Sequence, residues 1–318
     1  MDLREKVYRM FILGTQGGGY KSVKGLGGII FFSHDIQFPE QFCALVSSIK
    51  QECSPIFLSI DQEGGRVERT ENIHNGKKYL SAKFACQKGS RFLKEQTENI
   101  AQELKSYGLN LNFAPCIDVN TNPQNPIIAE RAFSDNPDTV IKCEKIVSKT
   151  YMENGIIPCV KHYPGHGDAS KDSHLTLPEI DLSLDEMNKV HIKPFRACAK
   201  RIPMVMAAHL NCKCFNKEGE NLPVSLNKRA IDYLRSDLGF EGIIISDDMV
   251  MKGVADFDGA LACEMGIKAG LNMFIYRNSE PETMQIIERI TEKAQKDDIL
   301  RAKIEESRKI INNIKLSY

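Results

Sequence analysis

The chemically capable side chains of this chain are concentrated in a few short stretches. Val160-Lys161-His162-Tyr163-Pro164-Gly165-His166-Gly167-Asp168, continuing to Asp172-Ser173-His174, places three of the seven histidines within thirteen positions. Glycines on both sides of His166 permit unusual backbone angles and close approach to a ligand. The polar stretch after them reads as a surface loop, where a histidine is seldom needed for packing. Asp172 and His174 are two residues apart, so in an extended segment their side chains point the same way and can hydrogen-bond. A carboxylate beside an imidazole favours the charged ring and keeps a proton available near neutral pH. The plainer alternatives are an exposed loop with two incidental polar residues, and for His162 a ring that satisfies core hydrogen bonds beneath the site.

A second concentration is Ile243-Ile244-Ile245-Ser246-Asp247-Asp248, an apolar run ending in two acids. Consecutive strand residues face opposite sides, so one acid points inward and the other is left to cap the following helix. An ionised carboxylate there suits nucleophilic attack on an acetal carbon. Polar groups follow other apolar runs too: Asp61 opens Asp61-Gln62-Glu63-Gly64-Gly65-Arg66-Val67-Glu68-Arg69, Asp118 follows run 110–114, His209 follows 203–207 and Arg277 follows 272–276. Any one of these could be a helix cap. Their recurrence after six runs points to a shared rim.

The elements that must position them are legible as a pattern. Eight short apolar runs, at 10–13, 29–32, 56–60, 110–114, 157–160, 203–207, 242–245 and 272–276, are separated mostly by stretches of helical character. Those stretches are 39–51, 88–107, 137–154, 183–200, 225–238 and 258–269, with a last one from about 280 onward. The alternation predicts parallel βα units, and Ser183 with Glu186 predicts a capping box. Eight parallel strands close more economically than they lie open, because closure removes both edges. The expected fold is therefore α/β, a TIM-type (β/α)8 barrel with its chemistry at the carboxyl-terminal strand ends. Residues 15–27 are glycine-rich and too short for a crossover helix, so the first βα unit is expected to be irregular. Without a second composition regime, linker or repeat, a single catalytic barrel spans 1–318, with a C-terminal helical segment.

Composition removes several function classes. The 42 basic and 42 acidic residues cancel, and no run of like charge stands out, which argues against nucleic acid or an anionic membrane surface as partner. The apolar run near the start is too short for a signal-peptide core or a spanning helix, so a cytoplasmic location is expected. Ten scattered cysteines read as small buried hydrophobes in a reducing compartment. His209, Cys212 and Cys214 lack the paired spacing of zinc ligands, so no metal is expected there.

The stretches Asp61-Gln62-Glu63-Gly64-Gly65-Arg66, Glu130-Arg131-Ala132-Phe133, Lys161-His162-Tyr163-Pro164-Gly165-His166-Gly167, Asp172-Ser173-His174 and Ser246-Asp247-Asp248 together resemble glycoside hydrolase family three. The likeness runs from Leu3 to about Arg277 and is specifically to the single-domain bacterial β-N-acetylglucosaminidases of peptidoglycan recycling. It implies Asp247 as nucleophile and Asp172 with His174 as the acid/base dyad. It also places Asp61, Arg69, Arg131, Lys161 and His162 at positions that hold the sugar hydroxyls and acetamido group. Tyr163 stands where phenylalanine is commoner. The family's β-glucosidases take their acid/base from a second domain, which a chain of this length is too short to contain, in keeping with a histidine on the barrel's own loop.

The resemblance further implies double displacement with retained configuration, a muropeptide-type carbohydrate as small-molecule partner, no cofactor, and a monomer. A histidine base would repel phosphate less than a carboxylate, which keeps phosphorolysis open beside β-glucosidase specificity. Two rivals come from other classes: an aldolase-like barrel with a Schiff base on Lys161, and a non-catalytic sugar-binding barrel, against which Asp247 and the Asp172/His174 pair speak.

Overall fold

The computed structural model describes residues 1–73, 78–169 and 177–317. Its strands, in chain order, are β1 (Phe11–Gly14), β2 (Gly28–Phe31), β3 (Phe57–Ile60), β4 (Leu111–Asn112), β5 (Ile157–Tyr163), β6 (Glu179–Ile180), β7 (Met204–Ala207), β8 (Asn211–Cys212), β9 (Ile243–Asp248) and β10 (Met273–Tyr276). Eight of them, all except β6 and β8, close into a barrel in the order β1-β10-β9-β7-β5-β4-β3-β2. Every neighbouring pair is parallel, as in Leu13↔Ile29 and Val205↔Ile244. β6 and β8 form a separate parallel pair through Glu179↔Asn211 and Ile180↔Cys212. The barrel strands are buried along almost their whole length. Burial on both faces is why they read as continuous apolar runs rather than alternating ones.

Helices cover the outside, and their starts carry visible signals. Pro39, Pro137 and Pro281 each occupy the first turn of a helix (Pro39–Glu52, Pro137–Glu153, Pro281–Lys296), where the missing N–H costs nothing. The predicted capping box forms: Ser183 Oγ accepts from Glu186 N at 3.3 Å while Ser183 N donates to Glu186 at 2.8 Å. The helical stretch it opens is nevertheless two short helices, Leu184–Lys189 and Lys193–Cys198. Pro194 explains the break, because its ring would clash with the carbonyl of residue 190 in a continuous helix. Stretch 225–238 likewise splits into a helix at Lys228–Asp232 and a wider π turn at Tyr233–Asp237.

The first βα unit carries only one 3-10 turn, Gly19–Ser22, as the glycine-rich sequence suggests. Among the elements the pattern did not predict is an N-terminal helix, Leu3–Tyr8, opened by an Asp2/Glu5 capping box. β4 is two residues long, and Pro115, which has no N–H to give the ladder, follows three positions after it. No helix among the described residues is long and apolar enough to cross a membrane.

Candidate active site

The strand ends β3, β4 and β5 supply a connected polar network. Lys161 is 2 % exposed, and its Nζ lies 2.6 Å from both Asp61 Oδ1 and Glu63 Oε1. Glu63 in turn receives Arg131 at both oxygens, Nε at 2.9 Å and Nη2 at 2.8 Å. Arg131 Nη2 also reaches His162 Nε2 at 3.2 Å, and His162 Nδ1 lies 2.7 Å from Asp118 Oδ2. A guanidinium only donates, so Nε2 accepts and the ring proton sits on Nδ1, facing Asp118.

Charge follows from these contacts. Burial pushes Glu63 up, but Arg131 and Lys161 outweigh it and hold the carboxyl well below its ordinary range. Asp118 is likewise pushed up by burial and brought below its ordinary range by His162 and His166. Burial lowers the Lys161 pKa, yet Asp61 and Glu63 reverse the sign and raise it. A Schiff-base lysine needs the opposite shift, so the aldolase-like reading of Lys161 fails on electrostatics.

β9 supplies two acids with different surroundings. Asp248 accepts from Val250 N at 3.1 Å and Arg277 N at 3.2 Å, and pairs with the Arg277 guanidinium. It therefore ties the β9 and β10 ends together, instead of capping a helix as the alternation suggested. Asp247 accepts only from Asp248 N, at 2.7 Å, and no other described residue donates to it. Burial raises Asp247, but the His162 and His209 imidazoles, that N–H and Lys161 together lower its pKa, keeping an under-bonded carboxylate ionised. His209 is 2 % exposed, with Nδ1 on Ser225 Oγ at 2.7 Å.

Lys161, His162 and both β9 acids, Asp247 and Asp248, face one cavity of about 320 Å³, at the small end of the roughly 300–1,000 Å³ typical of small-molecule sites. Asp61, Arg69, Arg131, Lys161, His162 and Asp247 line it over an apolar floor of Ile30, Met206 and Ile275. Arg69 lies over the Phe32 ring at 5.7 Å, at the cavity's edge. Six of the sequence-derived site residues thus meet, while Asp172 and His174 lie outside the described residues. A larger open groove of about 730 Å³, beside Tyr79, Phe92 and Gln96, gathers no strand-end residue.

Sequence reasoning placed Asp118 at the rim and marked the glycines around His166, but assigned no site role to either residue or to Glu63. Glu63 was detectable, being two positions from Asp61 and so able to share its side. Among the described residues, Cys116, Asp118 and His162 form one set of potential metal-ligand atoms within 4.8 Å of each other. Hydrogen bonds already occupy it: Asp118 accepts from His166 N at 2.6 Å, from His162 N at 3.3 Å, from Cys116 Sγ at 3.2 Å and from the His162 ring. It is a knot that orients His162. His209, with Cys212 and Cys214 in mutual contact at 3.4 Å, does not form such a set.

A parallel eight-stranded barrel that gathers an under-bonded acid, a salt-bridged lysine and two imidazoles at its carboxyl-terminal mouth has the form of a barrel enzyme acting on a small polar substrate. Residues 19–314 match the model of the glycosyl hydrolase family 3 N-terminal domain, and the chain belongs to that family. Among relatives, a β-hexosaminidase A of Pseudoalteromonas piscicida is 35% identical over 253 residues, 73% of this chain and 42% of the relative. A β-hexosaminidase of Neisseria gonorrhoeae is 31% identical over 263 residues, 80% of this chain and 72% of the relative. A solved family 3 β-N-acetylglucosaminidase from Paenibacillus superposes with a TM-score of 0.93 at 27% identity, covering all of this chain and 62% of that one. The chain thus spans less than half of the first relative and under two thirds of the solved neighbour.

Proposed function

We propose that this chain is a retaining exo-β-N-acetylglucosaminidase that releases terminal N-acetylglucosamine from a peptidoglycan-derived fragment. The observation that carries the reading is Asp247: it lines the cavity with the Lys161–Asp61 pair, keeps one hydrogen bond among the described residues, and is held ionised. In this reading Asp247 attacks the anomeric carbon while the leaving oxygen takes a proton. The resemblance assigns that proton to His174, with Asp172 orienting it. His174 then deprotonates the water that breaks the glycosyl-Asp247 ester, and two inversions give net retention. Lys161 and Asp61 present a fixed ion pair for sugar hydroxyls, and no step needs a cofactor. The names of the relatives, β-hexosaminidase and β-N-acetylglucosaminidase, support the sugar.

The test is turnover of 4-nitrophenyl β-N-acetylglucosaminide against the β-glucoside and β-xyloside, with and without phosphate. The reading predicts clear preference for the first and a rate indifferent to phosphate. Preference for the glucoside overturns the sugar assignment, and a rate that rises with phosphate alongside release of a sugar phosphate overturns hydrolysis.

A further inference from the structure

We propose that His166, which lines the same cavity as Ile127, selects a sugar carrying a 2-acetamido group over one carrying a 2-hydroxyl. This deepens the proposed function and rests on it.

The groups that the resemblance assigns to the sugar are largely spent on one another. Arg131 uses Nε and Nη2 on Glu63, Nη2 on His162 and Nη1 on the Ile127 carbonyl, at 2.8–3.3 Å. Both ring nitrogens of His162 are engaged. His166 differs. It is 4 % exposed, lines the same cavity, and neither ring nitrogen has a hydrogen-bond partner among the described residues. A buried polar ring without partners is costly, and a ligand group that satisfies it is correspondingly favoured.

The ring is held in place by its backbone. His166 N donates to Asp118 at 2.6 Å, and its carbonyl accepts from Asn125 Nδ2 at 2.8 Å. The same Asn125, 2 % exposed, accepts at Oδ1 from Ile127 N at 2.9 Å and Ile128 N at 3.0 Å. One buried amide therefore clamps the loop of His166 to that of Ile127. The flanking glycines allow it: a Cβ on Gly167 would stand 1.7 Å from the Val119 carbonyl oxygen, and Gly165 has φ +121.

Ile127 packs on Cys116, Ile128 and Ala132 and also lines the cavity. A polar ring and an aliphatic wall lining one cavity match an acetamido group, whose carbonyl can accept from the imidazole N–H while its methyl lies on Ile127. A hydroxyl would leave that wall without a contact. Burial, with the neighbouring His162 and Arg131, lowers His166 to about 4 against the pull of Asp118, so at neutral pH the ring is neutral.

The experiment compares wild type, His166→Leu and His166→Gln on the 4-nitrophenyl 2-acetamido-2-deoxy-β-glucoside and the β-glucoside, with thermal melting as a check on folding. The expected result for His166→Leu is a fall in kcat/KM on the acetamido substrate roughly 10- to 100-fold greater than on the glucoside. It should be carried mainly by KM and partly restored in His166→Gln. Equal losses on both substrates, or no loss on either, overturn the proposal. A wild type with no preference for the acetamido sugar overturns the proposed function itself, and a variant need not be made to see it.

Discussion

Along the β3–β4–β5 side of the mouth, Asp61, Lys161, Glu63, Arg131, His162 and Asp118 form one unbroken chain of ion pairs and hydrogen bonds. Along the β7–β9 side, among the described residues, Asp247 keeps one hydrogen bond and His209 keeps one, to Ser225. The first side is cross-linked by ion pairs, so its geometry is over-determined and it can hold a substrate without rearranging. The second side leaves a carboxylate free to change its bonding. A nucleophile belongs on that second side, because each hydrogen bond to a carboxylate lowers the basicity of the lone pair that must attack.

The contrast breaks most visibly at Asp247. Asp247→Asn should lower turnover by at least about 10³-fold while calorimetry still finds sugar binding, since an amide cannot form the glycosyl ester. Near-normal turnover would move the nucleophile elsewhere. On the cross-linked side the larger effect should be on stability. Glu63→Gln removes the negative charge shared by Lys161 and Arg131, leaving two buried cations under-compensated, and should cost about 3–5 kcal/mol in denaturant unfolding. A change below about 1 kcal/mol would mean the network does not brace the mouth.

The same network sets a pH dependence. Glu63 and Asp118 have folded pKa values below their unfolded ones. Their contribution is complete above the unfolded carboxylate range and is lost as pH falls below about 4 toward the folded values. Melting temperature should be flat in these two groups near neutrality and fall on the acid side, and less steeply in Glu63→Gln. The mildest test is Asp248→Asn, which frees Arg277 yet leaves Asp247 in place. A loss within about tenfold is expected, whereas one matching Asp247→Asn would exchange the roles of the two acids.

The barrel was readable because each strand is buried on both faces and so appears as an uninterrupted apolar run. All eight runs overlap a barrel strand, and the helices that begin at Pro39, Pro137 and Pro281 start within a residue or so of their sequence positions. What the pattern hid is partnership across the chain. Lys161 and Asp61 are 100 positions apart, Arg131 and Glu63 68, His162 and Asp118 44. No local periodicity reports such pairs. Strand alternation predicted that only one of Asp247 and Asp248 would face the mouth, whereas both line the cavity, and it could not show that Asp248 binds Arg277, because that contact depends on how β9 and β10 lie beside each other. Pro194 marks the break between Leu184–Lys189 and Lys193–Cys198, but the helical composition on both sides of it masks that signal.

The claim that Asp247 is the attacking group is tested most directly by trapping. Incubation with a 5-fluoro-N-acetylglucosaminyl fluoride, followed by intact-mass and peptide analysis, should add one glycosyl unit to the protein and place it on the peptide at Asp247. A unit found on Asp248, or continued turnover of a chromogenic substrate with an inverted product and no adduct, would contradict the account.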